Sequence, residues 1–302
     1  MRRIGRFAWS VRGGVAALVA GTAAITTAGL PFHAGHAVAA TTPVAPAAAP
    51  AAVRPASTNS TAVGTSGVAV VAHRGGEIDT PESTIAAFAN AIQQGSQGIV
   101  FDVRYTSDGV PVVMHDATLD RTTNCTGTVS DYTLAKLEKC NANDGFKNFG
   151  FQAVPTLNEA LAYITAHSST VKIYIHTKTV ANTHQAAVVV AAVKQYHLDQ
   201  GTRTTLLADS ATLLRRLKAA GGKRLGLVFH GYDKHWAVAQ TTYPVLYSWD
   251  ATLTASDIAT VAKQGRQLIA SAGHPQSLNT LLALGAHDVA VDDLDASMQH
   301  LA

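Results

Sequence analysis

Residues 100–116 read V-F-D-V-R-Y-T-S-D-G-V-P-V-V-M-H-D, two strands joined by a turn. Val100 to Tyr105 is a β-branched and aromatic run, Asp108-Gly109 is a dipeptide that favours a tight two-residue hairpin, and Val110 to Met114 is the second strand. With Asp108 and Gly109 as the turn, Ser107 faces Val110, and counting outward Asp102 faces His115. Residues directly opposite in a hairpin share a face, roughly 5 Å apart at Cβ. Local geometry alone therefore predicts a carboxylate beside an imidazole.

Upstream, the apolar run Val68 to Ala72 ends in His73-Arg74-Gly75-Gly76. Such a strand end delivers an acid/base group, a fork of phosphate-binding donors and a backbone that a ligand can approach closely. Two histidines, one carboxylate and one arginine suit hydrolysis of a phosphate ester. One imidazole would take a proton from the nucleophile and the other would give one to the leaving oxygen. A lone histidine is more often a surface or satisfied core group; the pairing across the hairpin is what singles these out.

Outward from this stretch the chain alternates strand and helix. Strands are predicted at Val68–Ala72, Ile99–Val103, Val171–Thr177, Thr204–Ala208, Leu225–Phe229, Val245–Ser248, Gln267–Ser271 and Asp288–Val291. Helices are predicted at Thr84–Gln94, Leu157–Ala166, His184–Tyr196, Ala211–Ala220, Lys234–Ala239, Ser256–Lys263 and Ser277–Leu284. Ile85, Phe88 and Ile92 form one apolar stripe, and Gly95, Gly265 and Gly285 follow helix ends as C-caps do. Eight strands with helical crossovers predict an α/β fold, a (β/α)₈ TIM barrel, with the hairpin strand and a small insertion at its C-terminal mouth. Strand ends in this fold carry the active site, and here they carry His73, Asp102, His176, Asp209, His230, Asp250, His274 and Asp292. Residues two apart share a face, so Val100 lies beneath Asp102 as barrel filling, and Lys178 follows His176 toward the mouth.

Residues 1–40 carry Arg2, Arg3, Arg6 and Arg12, an apolar segment from Gly13 to Leu30, and Ala37-Val38-Ala39 as a small-residue cleavage site. This pattern predicts a secretory signal peptide and a secreted, extracellular protein. The apolar segment is short and broken by Gly21, Thr22, Thr26 and Thr27, which argues against a transmembrane anchor. Cleavage removes four arginines and no acid, so the net charge of +3 becomes −1 and the basic balance is no argument for nucleic acid. Residues 41–66 are Ala, Pro, Thr and Ser with one charge, Arg54, a composition that makes a disordered spacer. From Gly67 about 236 residues remain, enough for one large domain, 67–302. The two cysteines, Cys125 and Cys140, predict one disulfide in an oxidising compartment, worth about 3 kcal/mol in the chain-entropy model. It would tie down residues 116–153, an insertion with little core of its own.

Taken together, His73-Arg74-Gly75, Pro81-Glu82-Ser83-Thr84 with Phe88, Asp102-Val103 with Thr106, Asp108-Gly109, His115-Asp116, and Leu119 with Arg121-Thr122-Thr123 resemble the pattern of the glycerophosphodiester phosphodiesterase family. Weaker similarity continues through Val154-Pro155-Thr156-Leu157 to the last strand. The resemblance implies a TIM barrel, His73 and His115 as catalytic residues, and a divalent cation, Mg²⁺ or Ca²⁺; the residues themselves suggest Arg74 and Lys178 as phosphate ligands. It also implies that the insertion caps the mouth, with contacts from Tyr132 or Phe146. Two positions depart from the pattern: Val100 and His176 stand where the family has glutamates expected to bind the metal. Asp102 would then hold the cation with His176, Glu77, Asp79 or Asp292, a mixed set that shifts preference toward Zn²⁺.

Three readings follow. The first is a secreted phosphodiesterase acting on glycerophosphodiesters or related lipid and envelope polymers. The second is a non-catalytic descendant that binds a phosphodiester or wall polymer through Arg74, His73, His115 and Lys178. The third is a phospholipase D-like lyase on the same barrel. The identity of the alcohol, the metal and the oligomeric state are left open by the sequence.

Overall fold

The computed structural model of the chain describes residues 67–143, 145–178, 182–273 and 276–302. The predicted signal peptide, the spacer and His274 lie outside the described residues. In chain order the elements are β1 (Ala69–His73), α1 (Ile85–Gln93), β2 (Gly98–Tyr105), β3 (Pro111–Val113), α2 (Leu134–Leu137), α3 (Leu157–His167), β4 (Lys172–Thr177), α4 (Thr183–Gln195), β5 (Thr204–Ala208) and α5 (Ala211–Ala219). They continue with β6 (Leu225–Phe229), α6 (Lys234–Ala239), β7 (Val245–Ser248), α7 (Ala255–Lys263), β8 (Gln267–Ser271), α8 (Leu278–Ala283), β9 (Asp288–Val291) and α9 (Leu294–Leu301).

The helices start where short polar side chains satisfy their free N–H groups. Thr84 accepts from the Ala87 N–H at 3.2 Å, and Thr156 with Glu159, like Thr254 with Asp257, closes a reciprocal box. Gly95, Gly265 and Gly285 follow helix ends at φ of +79°, +67° and +90°, the left-handed conformation that a glycine C-cap supplies.

Strands β1, β2 and β4 to β9 pair in parallel, and β1 bonds to both β2 and β9, so the sheet closes into an eight-stranded barrel. Among the strands of the described residues only β3 runs antiparallel, on β2. This is the predicted (β/α)₈ architecture. Two apolar layers hold it. Outward-facing residues such as Phe101, Ile173 and Phe229 pack under the helices. Val71, Val100, Tyr174, Leu207, Val228, Tyr247, Ile269 and Ala290 fill the interior.

The hairpin departs from expectation by one residue. Val103 faces Val113, Arg104 faces Val112 and Tyr105 faces Pro111, so Met114, not His115, stands opposite Asp102 and donates its N–H to the Asp102 carbonyl at 3.0 Å. The loop has three residues. Gly109 donates to Thr106 O at 3.0 Å and sits at φ +81°, absorbing the extra residue as a glycine bulge. The insertion also differs from expectation, since Val112, Met114, Leu119, Val129, Leu137, Cys140, Ala142 and Val154 form a buried cluster of their own. Cys125 and Cys140 are joined by a disulfide at its edge. The terminal helix α9 was not predicted; Asp293 caps it by accepting from the Ala296 N–H at 2.9 Å.

Candidate active site

Each inward-facing strand residue has a partner two positions on, at the C-terminal mouth, because the strand period is two. Val71 leads to His73, Val100 to Asp102, Tyr174 to His176, Leu207 to Asp209, Val228 to His230 and Tyr247 to Trp249. These six mouth residues, with His115 and Lys178, line one cavity floored by Val100, Val228 and Tyr247. Asp250 lies one residue off that face; it accepts from the Gly231 N–H at 2.9 Å and pairs with His230 at 3.2 Å. Trp249 takes the wall instead, its ring 4.8 Å from that of His73 and 6.5 Å from that of His115. Sequence reasoning missed Trp249, although the same parity applied to Tyr247 would have found it.

Four histidines at this mouth share one arrangement, Nδ1 turned to a carboxylate. His73 Nδ1 lies 2.6 Å from Asp292, His115 Nδ1 2.6 Å from Asp116, His176 Nδ1 2.9 Å from Asp102 and His230 Nδ1 3.2 Å from Asp250. A carboxylate on Nδ1 fixes the ring and leaves Nε2 as the reactive nitrogen. His115 reaches the site without the predicted cross-strand pairing, because the chain leaves the ladder after Val113 and Arg104 Nε holds the His115 carbonyl at 2.7 Å.

A charged network ties the motif segments together. Arg74 bonds Glu82, Arg121 grips the same carboxylate at 2.6 and 2.9 Å, and Arg121 Nε reaches Asp116 at 2.7 Å. Burial works to raise the Glu82 carboxyl, but Arg121 and Arg74 outweigh it and hold it low. Asp116 is held at about 2, burial being overcome by Arg121 and His115. The His115 imidazole is pushed down to about 4, chiefly by burial, with Arg74 and Lys178 adding to it against the pull of Asp102. Its neutral form is therefore the working one near pH 7. The arginine itself is strained into place: Arg74 has φ +51°, followed by Gly75 and Gly76 at +92° and +95°. A Cβ on Gly75 would lie 2.5 Å from that of Ala87, so helix α1 packs directly on this turn.

The cation site expected from the resemblance does not fit the residues present. Val100 is barrel filling, buried with 3% of its surface exposed. Asp102 Oδ1 receives His176 Nδ1 and, at 3.3 Å, Lys178 Nζ, while Oδ2 faces Arg74 Nε at 3.6 Å. Burial pushes this carboxyl upward, yet His176 and Lys178 hold it well below the usual range, so its charge is already balanced. A divalent ion there would meet a lysine and an arginine with a single carboxylate to hold it. Asp79 is also excluded, since its Oδ2 accepts the Leu294 and Asp295 N–H groups at 2.9 and 3.0 Å at the start of α9.

A different set does suit a cation. His73, Glu77 and Asp292 offer three donor atoms within 4.8 Å of one another. One nitrogen and two carboxylates make a donor set fitting Zn²⁺ or a similar ion. Burial raises the Glu77 carboxyl against the pull of His73 and Arg74, so bringing a positive ion beside it favours its charged form. Tyr132 and Phe146 do not line the cavity: Tyr132 Oη donates to the Thr126 carbonyl at 2.9 Å, and Phe146 packs edge-on against Phe149.

The chain is a TIM barrel that gathers acid/base and cationic side chains at its C-terminal mouth, where this fold carries its active sites. The family model described as "Glycerophosphoryl diester phosphodiesterase family" matches residues 73–286, and the chain belongs to that family. A glycerophosphodiester phosphodiesterase from Caldanaerobacter subterraneus is 36% identical over 173 residues, 56% of this chain and 70% of that one. Human glycerophosphodiester phosphodiesterase 1 is 44% identical over 107 residues, 34% of this chain, so the chain matches about a third (32%) of that relative's length. Among solved structures, a glycerophosphodiester phosphodiesterase from Agrobacterium tumefaciens superposes with a TM-score of 0.63 at 24% identity, covering 76% of this chain and 99% of that one. An Oleispira antarctica phosphodiesterase in complex with its product sn-glycerol-3-phosphate gives 0.65 at 22% identity, covering 77% and 96%. At these identities the structures speak for the barrel fold. The family uses a divalent metal.

Proposed function

We propose that this chain is a secreted phosphoric diester hydrolase acting on glycerophosphodiesters or related lipid and envelope phosphodiesters. The observation that carries the reading is the pair of carboxylate-anchored imidazoles, His73 and His115, flanking Trp249, with Lys178 in the same cavity and the buried Arg74 guanidinium 5.8 Å from the Trp249 ring. His115, neutral at ordinary pH, takes the proton from the substrate hydroxyl next to the phosphodiester as its oxygen attacks phosphorus. The bond from phosphorus to the leaving alcohol breaks, and His73 returns a proton to that oxygen. Water then opens the cyclic phosphate with the two roles exchanged. Arg74 and Lys178 offset the charge gathering on the phosphoryl oxygens. A cation held by His73, Glu77 and Asp292 would add positive charge to the same mouth. Arg74 keeps its own charge under burial because Glu82, Asp102 and Glu77 surround it.

Export accords with the arginine-led apolar segment at the start of the chain and with the Cys125–Cys140 disulfide, which suits an oxidising compartment. Among the described residues no helix is long and apolar enough to cross a membrane. A second reading, a phosphodiester-binding module without turnover, is favoured by one observation, the loss of the cation cage around Asp102. Hydrolysis of glycerophosphocholine separates the two. Turnover that disappears in both His73→Ala and His115→Ala supports the enzyme. Absence of turnover under chelation and with added Zn²⁺, Mg²⁺ or Ca²⁺ supports the binding module.

A further inference from the structure

The mouth and its floor hold polar atoms that the phosphate chemistry leaves unused. His176 is 95% buried by its 5% exposure, its ring lines the cavity, and its Nε2 is buried without a hydrogen-bond partner. In the barrel interior the Tyr247 hydroxyl is also buried, with Ser271 as its polar neighbour. A buried polar atom left unpaired is costly, so a ligand group that pairs with it binds there.

The chemistry of that group follows from the surroundings. Asp102 takes the Nδ1 proton of His176 at 2.9 Å, which leaves a lone pair on Nε2. A lone pair accepts a hydrogen bond or binds a metal; it does not bind an anion. Lys178 and Arg74 converge on Asp102, the partner of this imidazole, and disfavour a divalent ion. Among the described residues the three-donor group that could close on a cation is His73, Glu77 and Asp292, without His176. What remains is a neutral donor, a hydroxyl.

We propose that His176 at the mouth and Tyr247 in the floor below it form a hydroxyl subsite, in which His176 Nε2 accepts a hydrogen bond from a hydroxyl of the phosphate-bearing alcohol and Tyr247 provides a second polar contact. This rests on the phosphodiester reading and deepens it: the glycerol-type alcohol of that reading is held by a hydrogen bond to His176, where the family has a metal ligand. The phosphate sits above it beside Lys178, which lines the same cavity.

Calorimetric titration of the full chain in chelating buffer with sn-glycerol 3-phosphate and with propyl phosphate, which has the same phosphate and carbon count but no hydroxyl, tests the subsite. The wild-type chain binds glycerol 3-phosphate at least about tenfold more tightly. His176→Phe removes that preference while changing propyl phosphate affinity by less than about twofold, and His176→Gln, which retains an acceptor oxygen, keeps part of it. If His176→Phe does not fold, by its thermal melt, the wild-type and His176→Gln comparison carries the test. Equal binding of the two phosphates by wild type, or a preference undiminished in the folded variant, overturns the subsite alone. Failure to bind either phosphate overturns the phosphodiester reading and the subsite with it. Loss of one bound Zn²⁺ in equilibrium dialysis of His176→Phe also overturns the subsite, making His176 a metal ligand.

Discussion

Arg121 grips Glu82 through both terminal nitrogens, at 2.6 and 2.9 Å, although the two lie 39 residues apart. That single carboxylate also takes Arg74, and through Arg121 it reaches Asp116 and His115. The motif residues between the two histidines are therefore a positioning frame for them.

Glu82→Gln strips the charge from this frame and leaves two arginines facing a neutral amide. The expected cost is about 3 kcal/mol of stability, as for other buried pairs broken from one side. Turnover should fall more than tenfold, since both His115 and Arg74 lose their bracing. Chemical denaturation alongside steady-state kinetics checks both.

His73→Ala and His115→Ala should each lower kcat by roughly a hundredfold to ten-thousandfold, the usual worth of a proton-transfer group. Affinity for glycerol 3-phosphate should change far less, because Arg74 and Lys178 remain. A large loss of affinity with kcat intact would assign the histidines to binding.

His115 takes up its proton near pH 4 in the folded chain, against an ordinary value of about 6.5 in the unfolded one. Lowering the pH from about 6.5 toward 4 thus protonates the unfolded state first, and the contribution of this residue to stability declines across that window. Above about 6.5 it makes no pH-dependent difference. In kinetics the same value gives kcat/KM an acid limb near pH 4, and Asp116→Asn, by removing a carboxylate that raises His115, moves the limb lower. Profiles of wild type and variant that coincide would refute the assignment of His115 as base.

Metal binding should report the displaced cation set. Zn²⁺ in equilibrium dialysis is expected to bind through His73, Glu77 and Asp292, and Glu77→Ala should weaken it roughly tenfold or more. Restoring carboxylates with Val100→Glu and His176→Glu should add a second, oxygen-rich site that takes Mg²⁺ or Ca²⁺. Unchanged stoichiometry in the double variant would mean that Lys178 and Arg74 keep the position closed.

Gly75→Ala places a methyl 2.5 Å from that of Ala87 at a backbone φ of +92°. We expect a loss of about 2 to 3 kcal/mol and reduced turnover, read by thermal unfolding and by hydrolysis. The Arg74 turn cannot move without its neighbour.

The eight barrel strands, the helix caps and the two histidines could be read from the chain, because propensity, period and capping are local properties. Strands such as Thr204–Ala208 and Gln267–Ser271 fall where the apolar runs place them. Trp249 and the parity of the mouth were equally present in the sequence, since Tyr247 and Trp249 must share a face. The hairpin register was not legible. Asp108-Gly109 suits both a two-residue and a three-residue loop, and the bonds of Gly109 and Val110 to Thr106 select the longer.

The sequence by itself determined the barrel, the family pattern and which side chains stand at the strand ends, since alternation and turn chemistry act over a few residues. Only the tertiary structure decided which carboxylate serves which imidazole. Asp292 reaches His73 across 219 positions, and Asp102 meets His176 across 74. It also decided that Asp102 faces lysine and arginine instead of a cation. Such pairings come from barrel closure, which brings distant strands side by side, and no local pattern encodes them.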